Sequence, residues 1–239
     1  MAMKTHFEII GTIRSCYKEK FGIPRQAGLV PTATATLELQ PPFNRTEAFT
    51  GLEGFSHLWL LFLFHGNDHQ GWKATVRPPR LGGNARLGVF ATRSPFRPNP
   101  IGLSAVELER IEQYAGKVIL HLKGVDLLDG TPIIDIKPYL PYADAIATAS
   151  GGFADEAPQG QLAVHFLPQP EHTCRSMEKD RYPGLRKLII DTLRNDPRPA
   201  YYQKRPQKSS FGMKLFDFDL RWEHDDDGIT VIELHPSDG

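Results

Sequence analysis

The chain is predicted to be mainly β, with a β-barrel N-terminal domain over residues 1–150 and a small α+β C-terminal domain over residues 160–239. Three observations predict this. Short runs rich in Val, Ile, Leu, Thr and Phe are punctuated by turns, for which the chain has 21 glycines and 20 prolines. Few helical patterns occur in the first part of the chain. The last third differs, combining one helical stretch with strictly alternating segments. With 239 residues, 40% of them hydrophobic, a sizeable core can form.

In order along the chain, Phe7–Ile13 reads as a strand, and Gly11 within it marks a bulge or a close backbone approach. Thr34–Leu39 alternates. Asn44 is a candidate cap for a short helix over Arg45–Phe49. Phe55–Phe64 is continuously apolar, which predicts a strand buried on both faces. Leu87–Ala91, Leu103–Ile111 and Lys117–Leu122 are further strands, the second of them cleanly alternating. Asp129-Gly130, between Val125–Leu128 and Thr131–Ile136, predicts a tight hairpin. Lys137–Asp144 is a proline-stiffened loop, and 145–159 is a linker of small and polar residues. Gln161–Phe166 is strand-like. Tyr182–Arg194 has helical spacing with Leu185, Leu188, Ile189 and Leu193 on one face. Lys214–Trp222 and Ile229–Leu234 alternate as two strands.

Lys+Arg and Asp+Glu both total 28, so the formal net charge is zero. That argues against a strong non-specific nucleic-acid binder, although a local basic patch still suffices for RNA. Such a patch is present. Arg77–Arg86 and Ala91–Gly102 form two neighbouring loops with five arginines, five prolines and three glycines, and no acid lies between Asp68 and Glu107. Stiff, irregular loops that hold guanidinium groups suit a carboxylate or a phosphate. The alternative is that the arginines pair with distant carboxylates.

Cys16 and Cys174 are far apart and lie in no metal-ligand pattern, so neither a disulfide framework nor a zinc site is expected. No P-loop, GxGxxG, GxSxG or HExxH occurs. Met1–His6 carries no apolar signal region, and the longest apolar run, Leu58–Phe64, is too short to cross a membrane. A soluble, cytoplasmic protein is expected.

Three loop clusters and one histidine remain as candidate chemistry. Gly22–Gly28 is constrained by Pro24 and presents Arg25, Gln26 and bare peptide groups, or is an ordinary surface turn. The arginine loops are the second cluster. Asp135–Asp144 places an acid, a lysine and two tyrosines on one stiff loop that suits a ribose or an adenine, unless Lys137 simply pairs with Asp135. His57 reads as a core residue. His65, where an apolar strand opens into Gly66-Asn67-Asp68, reads equally as a site or a structural residue.

Pro24-Arg25-Gln26, Arg77–Asn84, Ala91–Gly102 and Asp129–Pro132 with Asp135–Tyr139 resemble the TsaA-like family. Its bacterial full-length members are similar over nearly the whole chain, including Asp196–Tyr201. The resemblance implies a β-barrel S-adenosylmethionine-binding domain with a small C-terminal domain. It implies a methyltransferase acting on N6 of N6-threonylcarbamoyladenosine, next to the anticodon of threonine-accepting tRNAs. It also implies a homodimer with the cofactor near the subunit interface, no metal and no membrane. By match to the family motifs, cofactor contacts fall on Pro24, Arg25, Gln26, His65, Gly66, Arg93 and Leu103, and on Asp144, Ala145, Ile146 and Ala147. Asp135 or Tyr139 is the candidate group near the proton that leaves the target nitrogen. Arg80, Arg86, Arg97, Asn99 and Lys137 are candidates for shaping the site or meeting RNA. Arg198, Lys204, Arg205 and Lys208 would extend the RNA-binding patch; the alternative for the last three is a solvated loop.

Overall fold

The computed structural model describes residues 6–67, 71–158, 162–198, 210–225 and 227–237. Its first part contains β1 (Gly11–Ser15), β2 (Thr34–Leu39), β3 (His57–Leu63), β4 (Thr75–Val76), β5 (Leu87–Gly88), β6 (Ile101–Tyr114), β7 (Lys117–Lys123) and β8 (Pro132–Pro138). Six of these close into a barrel in the order β1-β2-β7-β6-β3-β8, with β8 returning to β1 through Gly11↔Ile133 and Thr12↔Pro132. The period of two in the sequence produces this directly. Alternate residues point inward, so Ala35, Leu37 and Leu39 of β2 meet Leu58, Leu60 and Phe62 of β3 and Val118, Leu120 and Leu122 of β7 in one buried core. Closure leaves no open sheet edge. Gly11 is the close approach its position suggested, since a Cβ there would sit 2.6 Å from the carbonyl oxygen of Glu38 on β2.

After β8 the first part ends in a short helix, α1 (Pro141–Asp144); the second part contains β9 (Val164–Phe166), α2 (Pro168–Asp180), α3 (Leu185–Leu193), β10 (Ser210–Leu215), β11 (Phe218–Asp225) and β12 (Gly228–Pro236). Its four strands form a sheet in the order β10-β11-β12-β9, with β9 parallel to β12. In α3, Leu185, Leu188, Ile189 and Leu193 are buried, as the helical spacing required.

Several expectations are corrected. Phe7–Ile10 is not part of β1, which starts at Gly11 and runs to Ser15. Asn44 does not cap the short 3₁₀ turn Thr46–Phe49; its amide donates to the Gly116 carbonyl instead. Only one face of β3 is fully buried, because Trp59, Leu61 and Leu63 lie half-exposed on the barrel exterior. Leu87–Ala91 is strand only at Leu87–Gly88 and then turns at Val89–Ala91. Asp129-Gly130 turns the chain but makes no hairpin. Asp129 and Gly130 donate to the carbonyls of Tyr17 and Ile13, so 125–131 runs against the chain of β1 rather than against β8. Lys214–Trp222 is two strands, broken at Phe216 by a φ of 51°. Finally, α2 carried no periodic signal because it buries only Pro170 and Cys174.

The C-terminal sheet packs on residues 16–32, which link β1 to β2. Phe216 donates its amide to the Cys16 carbonyl at 2.8 Å, Tyr17 pairs with Leu215, and Thr32 Oγ1 donates to Asp191 Oδ2 at 2.9 Å. Phe21 stacks on Trp222 with ring centres 5.9 Å apart. One apolar core therefore runs through both parts.

Cys16 and Cys174 are free and buried, and burial pushes both thiols up to about 12. At pH 8 neither is a thiolate, so both are inert as nucleophiles. Alkylation of the folded chain at pH 8 followed by mass spectrometry is expected to find no adduct, and two adducts after denaturation. Rapid labelling of either thiol in the folded protein would contradict this. Among the described residues no helix is long and apolar enough to cross a membrane.

Candidate functional site

A cavity of about 500 Å³ opens beside β3 and β6, within the usual range for small-molecule sites. The loop between β1 and β2 brings Pro24, Arg25 and Gln26 to its rim. The end of β3 brings His65 and Gly66, the second arginine loop brings Arg93, and β6 brings Leu103. Seven of the eleven residues matched to the family's cofactor motifs, from four distant segments, thus line one cavity.

The local structure explains why they meet. The Gly28 amide donates to the Gly124 carbonyl at 2.8 Å, which pins the 22–28 loop to the chain beyond β7. Arg93 Nη1 donates to Gln26 Oε1 and joins the first cluster to the second. Lys20 Nζ donates to the Gly66 carbonyl. The floor depends on Gly102, where a Cβ would lie 2.2 Å from the Phe62 ring that packs over it.

One group on the cavity wall had no motif to announce it. Asp126 lines the cavity half-buried and accepts a hydrogen bond from the buried Ser104 Oγ at 2.6 Å. Burial raises its carboxyl above the ordinary range, while Ser104, its own amide, the Ala27 amide and Arg93 oppose that rise. The available signal was an acid flanked by Val125 and Leu127-Leu128, an apolar setting that costs a carboxylate its hydration.

A larger groove of about 2310 Å³ adjoins this cavity and shares Pro24, Arg25, Gln26 and Arg93 with it. The β4–β5 pair, with Val76 opposite Leu87, carries the loop holding Arg77, Arg80 and Arg86 along one side. Thr192, Asn195 and Pro197 line the other. Arg77, Arg80, Arg86 and Arg93 are exposed, and Arg80 donates to the Glu156 carbonyl. None of the five loop arginines forms an ion pair with a carboxylate among the described residues. Glu107 lies opposite His57 on the β3–β6 ladder, and Asp68 lies outside the described residues.

Arg97 also lines the smaller cavity, but it donates to the carbonyls of Thr92 at 2.7 Å and Val89 at 3.2 Å, so it braces the loop. Other expected residues sit elsewhere. Asn99 is exposed, lines neither hollow, and gives its carbonyl to the Ile101 amide at 2.7 Å. Asp135 is paired with Lys137 at 2.8 Å, and Tyr139 packs on Trp59 with ring centres 5.5 Å apart. These three line neither hollow. The same holds for Asp144, Ala145, Ile146 and Ala147, which are all exposed; Asp144 Oδ2 accepts from Trp59 Nε1 at 2.9 Å. They share the outer surface of the barrel with Trp59 and Tyr139. Arg198 is held against Asp196 through two hydrogen bonds, with its side chain 11% exposed, so its charge is neutralised in place. Lys204, Arg205 and Lys208 lie outside the described residues. No cluster of three or more His, Cys, Asp or Glu among the described residues is arranged to hold a metal.

The site therefore offers a cavity with three arginines, Arg25, Arg93 and Arg97, a half-buried carboxyl and bare loop peptides, opening into an arginine-lined groove. Residues 12–145 match the family model of the tRNA-methyltransferase O N-terminal domain, and residues 159–237 match that of the TrmO C-terminal domain. The chain is 52% identical to the tRNA (adenine(37)-N6)-methyltransferase of Escherichia coli K12, over 96% of this chain and 97% of that one. It is 40% identical to the human protein of the same name, over 72% of this chain and 43% of that one. A crystal structure of TrmO from Pseudomonas aeruginosa superposes with a TM-score of 0.80 at 42% identity, covering 98% of this chain and 99% of that one.

Proposed function

The chain belongs to the tRNA-methyltransferase O family, and we infer from that premise that it is an S-adenosylmethionine-dependent enzyme that methylates N6 of adenosine 37 in tRNA. The observation that carries the reading is the convergence of Pro24–Gln26, His65–Gly66, Arg93 and Leu103 on one cavity that opens into the arginine groove. The donor set fits the cofactor. Arg93 suits its carboxylate, Asp126 its cationic centre, the 24–28 peptides the adenine edge, and Phe62 and Leu127 its apolar body. When bound, the cofactor supplies an electrophilic methyl group.

The work of the chain is alignment. Gln26 and Arg93 fix each other, so the rim of the cavity keeps its shape while the groove holds RNA. Holding two reactants at contact distance supplies roughly 7–11 kcal/mol in favourable cases. The target is N6-threonylcarbamoyladenosine of threonine-accepting tRNAs in the cytoplasm. Its urea-like nitrogen must lose a proton, and Asp135 or Tyr139 is the proposed group near it. Neither lines the cavity within one chain, and both share the outer barrel surface with Asp144–Ala147. A homodimer that docks this surface beside the partner's cavity brings all of them to the cofactor. Half-exposed Trp59, Leu61 and Leu63, together with Leu103 at 51% exposed, support that interface.

The test is nucleoside analysis of tRNA incubated with the full chain and S-adenosylmethionine. One added methyl on N6-threonylcarbamoyladenosine is expected, with a dimer in light scattering. A non-catalytic RNA-binding barrel would show RNA binding but neither cofactor binding in calorimetry nor methylated product. A fully active monomer would remove the interface part of the proposal.

A further inference from the structure

Phe90 stands out on the wall of the arginine groove. It is 72% exposed, yet it is the middle residue of the turn Val89–Ala91, whose first residue is anchored in the interior at 1% exposed. Arg97 fixes the turn by donating to the carbonyls of Val89 and Thr92, on either side of Phe90. The same guanidinium lies 5.5 Å from the centre of the Phe90 ring. The protein thus holds a large apolar ring rigidly in water, backs it with a cation, and buries little of it. The neighbouring Phe96 is half-buried, with Lys73 Nζ 4.0 Å from its ring centre. The segment carrying both arginine loops holds no acid between Asp68 and Glu107; Glu156 and Asp196 also line the groove, Asp196 paired with Arg198.

An exposed aromatic ring set among arginines is how proteins hold unstacked bases of single-stranded loops: the cations take the phosphates and the ring takes a base. The chemistry of the adjoining cavity adds a second requirement. An adenosine must leave its stack to reach the cofactor, and its neighbours then lose a stacking partner. We propose that Phe90 is a stacking platform for a nucleobase of the anticodon loop flanking the target adenosine, and so positions the substrate. This rests on reading the arginine groove as the tRNA-binding face. Phe90 touches no reacting atom in this role. Its ring replaces a stacking partner lost from the loop, while Arg77, Arg80 and Arg86 hold the backbone.

The test compares wild type, Phe90→Ala, Phe90→Leu, Phe90→Trp and Arg86→Ala in the full chain, with a synthetic anticodon stem–loop RNA as probe over a salt series. Phe90→Ala and Phe90→Leu are expected to weaken binding by about 10- to 100-fold, and Phe90→Trp to keep it. All three keep wild-type cofactor affinity and the wild-type slope of log affinity against log salt, because no charge is lost. Arg86→Ala is expected to reduce that slope by about one. Wild-type affinity in Phe90→Leu would overturn the stacking role, since leucine keeps apolar bulk without a π-face. A change of oligomeric state in Phe90→Ala would overturn it in favour of a contact between subunits. If wild type binds and methylates tRNA while Phe90→Ala does so equally well, this inference alone fails. If wild type binds no RNA, the groove reading fails and this inference with it.

Discussion

Arg93→Ala is expected to weaken S-adenosylmethionine binding by roughly 1.5–3 kcal/mol, a tenfold to hundredfold loss, because a charge-assisted hydrogen bond is removed. The same change frees Gln26, which accepts from Arg93, so the first loop cluster loses its tie to the second. A second signature separates this from general damage. Arg93 is one of the groups that oppose the burial-driven rise of the Asp126 pKa. Without it Asp126 gains its proton at a higher pH, and the pH below which cofactor binding fades moves upward. The stability sign is the usual one for a raised group. The folded state holds the proton more tightly than the unfolded chain does, so the contribution of Asp126 is fullest below its unfolded pKa. It is lost as pH rises through the folded value. Calorimetric titration across pH checks both parts. Unchanged affinity in a folded Arg93→Ala variant would remove Arg93 from the cofactor site.

Trp222→Ala is expected to cost about 3–5 kcal/mol of stability, the largest single loss expected here. Trp222 is fully buried, with Phe21 5.9 Å from it on one side and Phe211 6.1 Å away. Phe21 belongs to the segment after β1 and Phe211 to β10, so the indole ties the C-terminal sheet to the barrel. For a chain of this size the midpoint of thermal unfolding should fall by roughly 6–20 °C. Trp222→Phe keeps the stack and removes a buried N–H that has no described partner, so it should cost far less. A thermal scan in which Trp222→Ala lies within about 1 kcal/mol of wild type would show that the two parts are held together elsewhere.

The strands were legible where one face meets the core and the other meets water. Thr34–Leu39 was read with the bounds it has, since Ala35, Leu37 and Leu39 are buried and their neighbours are not. In α3 the apolar face was legible for the same reason. By contrast, α2 buries two residues and leaves no period to read. The turn at Phe216-Asp217 was hidden because an aromatic residue takes the left-handed conformation usually left to glycine. Tyr182 makes this possible, stacking on Phe216 at 4.2 Å and donating to Asp217 at 2.6 Å.

The site divides in the same way. The sequence by itself determined a mainly β chain and the stiff Pro/Gly loops that carry the arginines, because these are local features; the cofactor contacts were implied only by resemblance to a family. Only the tertiary structure decided that Pro24–Gln26, His65–Gly66, Arg93 and Leu103 share one cavity, since barrel closure brings together segments nearly 80 residues apart. It also turned Arg97 and Arg198 into braces, set Asp135 against Lys137, and added Asp126 to the cavity wall. Charge and hydrogen-bonding capacity are written into a residue, but whether they are spent on the fold or left for a ligand depends on which groups the packed chain places within about 3 Å.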